Sequence, residues 1–239
     1  MNIIINGAGG RMGRALRAMC QNVAAMVDPF VKEEGMLSSL WEFQGEADCI
    51  VDFSNHAGTK ELLAYALERR MPVVICTTGH TAEELAAIEE ASKQIAIFRS
   101  GNMSLGIAVL GRLVKDAVKM FPDADIEIVE SHHNQKLDVP SGTALMLAHA
   151  AQESRPEAYL LVGRHENGKR DKKEIGIHSL RMGNTVGIHE VIINTGTQIL
   201  TLKHEAQDRS LFAEGALAAA EFMVGKTPGL YKMDDIVGA

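Results

Sequence analysis

The sequence predicts an α/β protein in two parts, a doubly wound parallel sheet followed by a second α+β unit built on a mixed, open sheet. Three observations predict it. Short runs rich in Ile and Val alternate with longer segments of helical spacing from the start of the chain to Asn102. A glycine cluster, Gly7-Ala8-Gly9-Gly10-Arg11-Met12-Gly13, stands directly after the first of those runs. Beyond Asn102 the rhythm changes, and between Glu174 and His204 the pattern is that of strands.

The first strand is predicted over residues 2–6, where Ile3, Ile4 and Ile5 form the continuous apolar run of a strand buried on both faces. A helix over 11–20 follows, then short apolar strands over 23–27, 49–53, 72–76 and 95–99. Helices over 59–69 and 82–93 fill the intervals. The second of these has Thr81 as its cap, with Glu83 and Glu84 at the positive end of its dipole. Next come a helix over 105–120, a strand over 125–130, a polar stretch to Pro140 and a helix starting near Gly142 with Ser141 as its cap. Ile175 and Ile177 alternate with polar neighbours, and Asn194-Thr195-Gly196-Thr197 signals a hairpin joining a run that ends at Ile193 to residues 198–203. The charged, turn-rich segment 164–173 reads as a solvated excursion. The last periodicity, Leu211, Phe212, Gly215, Ala216, Ala219, Phe222 and Met223, is one face of an amphipathic helix expected to return to the first unit.

Composition narrows the function. The 239 residues include 24 Lys+Arg and 31 Asp+Glu, a net charge of -7 with no basic run, which excludes a nucleic-acid binder. At 46% hydrophobic and 23% charged residues, disorder, collagen and disulfide scaffolds are set aside. Cys20, Cys49 and Cys76 lie far apart without a CxxC pair, as expected of thiols in a reducing compartment. No apolar run approaches the length of a signal or membrane span, so a cytoplasmic protein with no membrane partner is expected. A sheet unit with two or three helices does not easily cover both of its faces, and self-association through that sheet is expected.

The glycine cluster carries the first chemistry. Placed between a strand and a helix, Gly7, Ala8, Gly9, Gly10, Arg11 and Met12 form a turn whose backbone can approach a pyrophosphate, with the helix dipole meeting its charge. Met12 stands where the usual third glycine falls, and Gly13 comes one residue later. Asp28, at the end of the second strand, occupies the place of the carboxylate that binds ribose hydroxyls in Rossmann-like domains. Pro29 and Phe30 beside it offer no cation for a 2'-phosphate, so NADH is expected to serve at least as well as NADPH. Ser54-Asn55-His56, Thr77-Thr78-Gly79 and Ser100-Gly101-Asn102-Met103 follow the third, fourth and fifth strands, where such sheets place their crevices.

The second chemistry lies in Glu130-Ser131-His132-His133-Asn134-Gln135-Lys136-Leu137-Asp138-Val139-Pro140-Ser141-Gly142-Thr143-Ala144. No HxxxH or CxxC completes a metal site there, and no metal is expected. Hydride transfer to carbon needs a proton delivered nearby, and His132 and Lys136 are the candidates. Ser141, Gly142 and Thr143 offer amides and a hydroxyl at a helix start, a site for a carboxylate. With positive charge from His133 and Lys136, an anionic small molecule is the expected substrate.

These motifs together, GAGGRMG, TTG and ESHHNQKLDVPSGTA in that order, resemble the 4-hydroxy-tetrahydrodipicolinate reductase family of lysine and diaminopimelate biosynthesis over nearly the whole chain. The resemblance implies that Gly7, Ala8, Gly9, Gly10, Arg11 and Met12 hold the cofactor phosphates, and Asp28 its ribose. Cys76, Thr77 and Thr78, with Ser100, Gly101, Asn102 and Met103, surround the nicotinamide. It makes His132 the proton donor/acceptor, Lys136 the proton donor, and His133, Gly142 and Thr143 the ligands of a dicarboxylate substrate, with Arg181 and Arg209 as helpers. It further implies a dinucleotide-binding domain made of residues 1–103 and 209–239, a substrate and oligomerisation domain of residues 104–208, and a homotetramer. Residues 30–47 replace a longer excursion of the family. Two alternatives stay open on the residues alone: another nicotinamide-dependent oxidoreductase of an anionic molecule, and a dinucleotide-sensing module without catalysis.

Overall fold

The computed structural model describes residues 1–238; residue 239, the end of the expected first domain, lies outside the described residues. In chain order the elements are β1 (Ile3–Asn6), α1 (Arg11–Met19), β2 (Val23–Val27), β3 (Met36–Leu37), β4 (Cys49–Asp52), α2 (Thr59–Arg69), β5 (Val73–Ile75), α3 (Ala82–Ser92) and β6 (Ala96–Arg99). They continue with α4 (Leu105–Met120), β7 (Asp125–His132), α5 (Gly142–Ser154), β8 (Tyr159–Val162), β9 (Glu174–Arg181), β10 (Gly187–Asn194) and β11 (Ile199–Ala206). The chain closes with α6 (Ser210–Met223), β12 (Gly229–Tyr231) and α7 (Met233–Val237). Two compact units result: Met1–Ser104 together with the chain from Ser210 onward, and Leu105–Arg209.

In the first unit one sheet runs in the order β12-β6-β5-β4-β1-β2-β3, with every neighbouring pair parallel. Ile3, Ile4 and Ile5 are fully buried, as the uninterrupted run requires. Ile4, Ile50, Val73, Ile75 and Ile97 pack against Leu62, Leu63, Tyr65 and Ala66 of α2 and Ile88 and Ala91 of α3. Helices α1 and α6 pack on each other, and α6 lies against β4, β5 and β6. The predicted cap of α3 is present as a full capping box: Thr81 Oγ1 accepts from Glu84 N and the Glu84 carboxylate accepts from Thr81 N. The order places the switch point between β1 and β4, where the connections leave in opposite directions and a crevice opens at the carboxyl ends.

The second unit is a mixed five-stranded sheet, β11-β10-β7-β9-β8, in which β10 runs antiparallel to both β11 and β7 while β7, β9 and β8 are parallel. The expected hairpin is present, with Thr195 N donating to Gln198 O at 3.0 Å. Helices α4 and α5 pack together on one face, over Ile126, Ile128, Ile175, Ile177, Val191 and Ile193.

Three differences from the sequence reading have physical reasons. β7 runs on to His132, because β9 and β10 supply partners for residues 131 and 132. β3 and β12 are two- and three-residue edge strands, too short to show a period. The segment 164–173 is exposed over most of its length, but it is pinned by Arg170, whose guanidinium donates to Ile126 O and Glu174 O and pairs with Asp125, Glu127 and Glu174.

Candidate functional site

The first unit offers a cleft of about 710 Å³ at the switch point, lined among others by Asn6, Gly7, Gly10, Asp28, Ser54 and Glu61. Gly7 sits there at φ +80, and a Cβ on it would lie 2.6 Å from Phe53 O, so the turn out of β1 admits glycine alone. Gly13 explains the shifted third glycine: a Cβ there would lie 2.1 Å from Gly7 O, so this residue lets α1 close onto the loop. Helix α1 begins without a side-chain cap and without an acidic residue in its first turn. Its leading N–H groups and the positive end of its dipole therefore suit a phosphate.

Asp28 is buried beside this loop. Its Oδ2 accepts from Gly9 N at 3.1 Å, and its Oδ1 accepts from Phe30 N and Val31 N. The carboxylate thus ties the end of β2 to the glycine loop and leaves acceptor capacity for a diol. Pro29 and Phe30 are exposed next to it.

At the ends of β4 and β5, Thr77 and the buried Asp52 form a polar knot that the sequence reading missed. Asp52 accepts from Asn6 Nδ2 at 2.8 Å, Ser54 Oγ at 2.5 Å and Thr77 Oγ1 at 2.7 Å. Burial pushes its carboxyl above the ordinary value, opposed by the Ser54, Thr77 and Asn6 bonds. The signal was an acid closing an otherwise apolar run, Cys49-Ile50-Val51-Asp52. Cys76 is buried, its thiol raised well above the usual range by burial, so among the sequence-predicted residues it can contact a ligand only as an apolar wall. Thr78 and Gly101 are exposed, Asn102 is half-buried, and Ser100 Oγ donates to Asn102 O at 2.6 Å, shaping the loop that ends at Met103.

In the second unit the strand period builds the other constellation. Ile126 and Ile128 face the helices, so Glu130 and His132 continue the same face. The register sets Arg181 beside His132 and Ser179 beside Glu130 on β9, and His189 opposite Glu130 on β10. The apolar core stripe therefore turns polar at one end of the sheet, where α5 begins.

Glu130 is completely buried and accepts from both terminal nitrogens of Arg181, at 2.9 and 2.8 Å, and from Ser141 N at 3.2 Å. His132 Nδ1 lies 2.5 Å from its Oε2. Burial alone would raise this carboxyl, but Arg181 and the other donors overturn that and hold it at about 2. Burial pushes the His132 imidazole below its ordinary value against the pull of Glu130. His189 packs edge-on against it with ring centroids 5.1 Å apart, and burial lowers it to about 4. Both imidazoles are thus neutral near neutral pH.

Helix α5 starts as predicted: Ser141 Oγ accepts from Ala144 N at 3.1 Å and lies 3.1 Å from His189 Nε2. Gly142 is exposed and Thr143 half-buried at the helix start. His133 and Lys136 are half-buried in the loop after β7, where Lys136 Nζ pairs with Asp138 at 2.8 Å and lowers that carboxyl. Arg181 also donates to Asp138 O, fastening the loop from below. Through Glu130 the structure joins His132 to Ser141 at the start of α5, with His133 and Lys136 in the loop between them and Gly142 and Thr143 directly after Ser141. Arg209 is exposed. Glu130 and His189 were not singled out by sequence, although their place on the core stripe was legible. No group of three or more metal-ligating side chains occurs among the described residues.

Comparison with known proteins matches both units. The family model for dihydrodipicolinate reductase, N-terminus, covers residues 1–103, and that for dihydrodipicolinate reductase, C-terminus, covers residues 106–237. A 4-hydroxy-tetrahydrodipicolinate reductase of Caldanaerobacter subterraneus subsp. tengcongensis is 47% identical, over 99% of this chain and 98% of its own. One of Clostridium novyi is 41% identical over 98% and 97%. Among solved structures, a dipicolinate-bound dihydrodipicolinate reductase of a Paenisporosarcina species superposes with a TM-score of 0.81 at 23% identity, covering 99% of each chain, a likeness of fold.

Proposed function

The chain belongs to the dihydrodipicolinate reductase family, and on that footing we propose that it reduces 4-hydroxy-tetrahydrodipicolinate to tetrahydrodipicolinate with NADH or NADPH, in lysine and diaminopimelate biosynthesis. The family is NAD(P)H-dependent, and the first unit carries the dinucleotide-binding sheet. The observation that carries the reading is the buried Glu130, His132 and Arg181 cluster set against the start of α5, a place for an imidazole to handle protons beside a helix terminus that binds carboxylate.

The uncapped start of α1, the Gly7 turn and Asp28 fit a dinucleotide, with the loop from Gly7 to Met12 on its phosphates and Asp28 on its adenosine ribose. Cys76, Thr77, Thr78, Ser100, Gly101, Asn102 and Met103 would border the nicotinamide of the bound dinucleotide. When bound, the reduced dinucleotide supplies a hydride.

The chain's own residues supply the rest. Gly142 and Thr143 at the start of α5, with His133, orient the two carboxylates of the ring. Loss of the 4-hydroxyl as water leaves a conjugated imine: Lys136 protonates the leaving oxygen while the neutral His132 takes the proton from the adjacent ring carbon. As hydride arrives at the carbon that bore the hydroxyl, the displaced electron pair takes one proton back from His132 at that adjacent carbon, and Lys136 regains its own from solvent.

Asp28, followed by Pro29 and Phe30 with Lys32 as the nearest cation in sequence and no arginine beside it, favours a free 2'-hydroxyl, so NADH works at least as well as NADPH. The sheet unit forms the contacts of a homotetramer. No helix among the described residues is long and apolar enough to cross a membrane, and a cytoplasmic setting suits the buried free thiols Cys49 and Cys76. Consumption of NADH in a coupled assay that generates the substrate fresh tests the activity, and the ratio of kcat/KM for the two dinucleotides tests the cofactor reading. A purified enzyme that leaves NADH and NADPH unspent contradicts the first, and a strong NADPH preference contradicts the second.

A further inference from the structure

We propose that Glu130 is a positioning residue that fixes both the tautomer of His132 and the placement of that ring against the start of α5. The proposal rests on the function above for what His132 does, but its geometric part stands on the second unit alone.

A buried carboxylate is sustained by the donors that reach it. Glu130 receives the two-pronged guanidinium of Arg181, the Ser141 amide and one nitrogen of His132. An ionised carboxylate has no hydrogen to give, so the 2.5 Å contact requires the proton to be on His132 Nδ1. The neutral ring then presents the bare Nε2 to the other side, as a base or, once protonated, as a donor. Charge-assisted two-pronged bonds are strongly directional, so Arg181 leaves the carboxylate one orientation.

The same carboxylate also reaches Ser141, the cap of α5. Because one oxygen pair holds Nδ1 of the imidazole and the amide that opens the helix, the proton-handling nitrogen is set at a fixed place relative to the carboxylate-binding amides. His189 packs on the ring edge-on from β10 and Lys136 pairs with Asp138 in the loop after β7, so neither supplies the hydrogen-bond partner of Nδ1. Glu130 is therefore the group that decides which nitrogen carries the proton. In serine proteases the partner carboxylate of the histidine does comparable work, and replacing it with an amide leaves the wrong tautomer and lowers kcat about 10⁴-fold.

The test is carried out on the full chain with ring-¹⁵N-labelled histidine. The His132 signals are assigned by their loss in His132→Asn. In the wild type above its titration, His132 is expected as the Nδ1–H tautomer. Glu130→Gln, nearly equal in shape, should reverse or mix the tautomers and lower kcat by about 10²- to 10⁴-fold, while the Kd for NADH stays within about twofold because that ligand belongs to the other unit. A wild-type ring protonated at Nε2 overturns the proposal without any variant, so it holds even if Glu130→Gln fails to fold. So does a Glu130→Gln enzyme whose kcat stays within about threefold of wild type. A wild type with no turnover but with the Nδ1–H tautomer, lost in Glu130→Gln, would count against the proposed substrate and in favour of the positioning role.

Discussion

Lys136→Ala separates catalysis from structure more cleanly than any other single change at this site. The lysine side chain is 22% exposed and its partner Asp138 is 59% exposed, so their 2.8 Å ion pair lies in water's reach. Pairs of that kind contribute about 0–1 kcal/mol, and among the described residues the Nζ is paired with Asp138 rather than with the buried cluster. Removing the side chain is thus expected to lower Tm by a few degrees at most, on the order of what 1 kcal/mol does in a chain of this size. A lost general acid costs about 10²- to 10⁴-fold in rate, equivalent to about 3–5 kcal/mol of transition-state stabilisation. The catalytic loss therefore exceeds the structural one several-fold. The assay pairs kcat and KM, with freshly generated substrate, with fluorescence titration of NADH and a thermal melt. A kcat within about fivefold of wild type refutes the role given to Lys136, and parallel loss of NADH affinity refutes its assignment to the substrate side.

Other consequences follow from the two constellations. Gly13→Ala forces a methyl to within 2.1 Å of Gly7 O; overpacking of this kind costs about 1–3 kcal/mol, and calorimetry together with NADH titration should show lower stability and weaker binding together. Asp28→Ala removes the acceptor proposed for the adenosine ribose, a loss of about 1.5–3 kcal/mol for a bond to a charged group. Measured kcat/KM should therefore fall more for NADH than for NADPH, and an equal fall would contradict the ribose role. Stability should also decline in acid in two stages. His189 is depressed from 6.5 to about 4, so the unfolded chain takes up that proton first, and its contribution, about 3 kcal/mol, is present above about pH 6.5 and lost as pH falls through 4. Glu130, depressed to about 2, contributes fully above its ordinary value of 4.5 and loses that contribution only as pH falls below it. Urea titrations across this range should show the upper stage flatten in His189→Gln, and an unchanged pH slope would contradict the assignment.

The local features of both constellations were legible in the sequence. The Gly7 turn, Asp28 and the start of α5 each depend on neighbours in sequence, where turn geometry, dipole and cap chemistry act locally. The long helices α2 and α4 were legible for the same reason. Glu130 was visible as a residue but not as the centre of the cluster, because its main partner Arg181 comes from a strand 51 positions away and its meaning depends on register. Arg170 was hidden in a charged run for a similar reason: only the strand edge it docks on distinguishes it from its solvated neighbours. Asp52 needed the parallel neighbour β5 to bring Thr77 to it. The short edge strands β3 and β12 carry too few residues for alternation to register.

The proposed reaction has a dinucleotide held at the β1–α1 turn give its hydride to a ring whose protons His132 and Lys136 manage. Following deuterium from NADH carrying deuterium at both C4 positions into the product tests it most directly. The label should appear on ring carbon of tetrahydrodipicolinate, one atom for each NADH oxidised, with the transfer abolished in the His132→Ala, Lys136→Ala double variant. NADH oxidised without deuterium in the ring, or label transferred at the wild-type rate by the double variant, would contradict it.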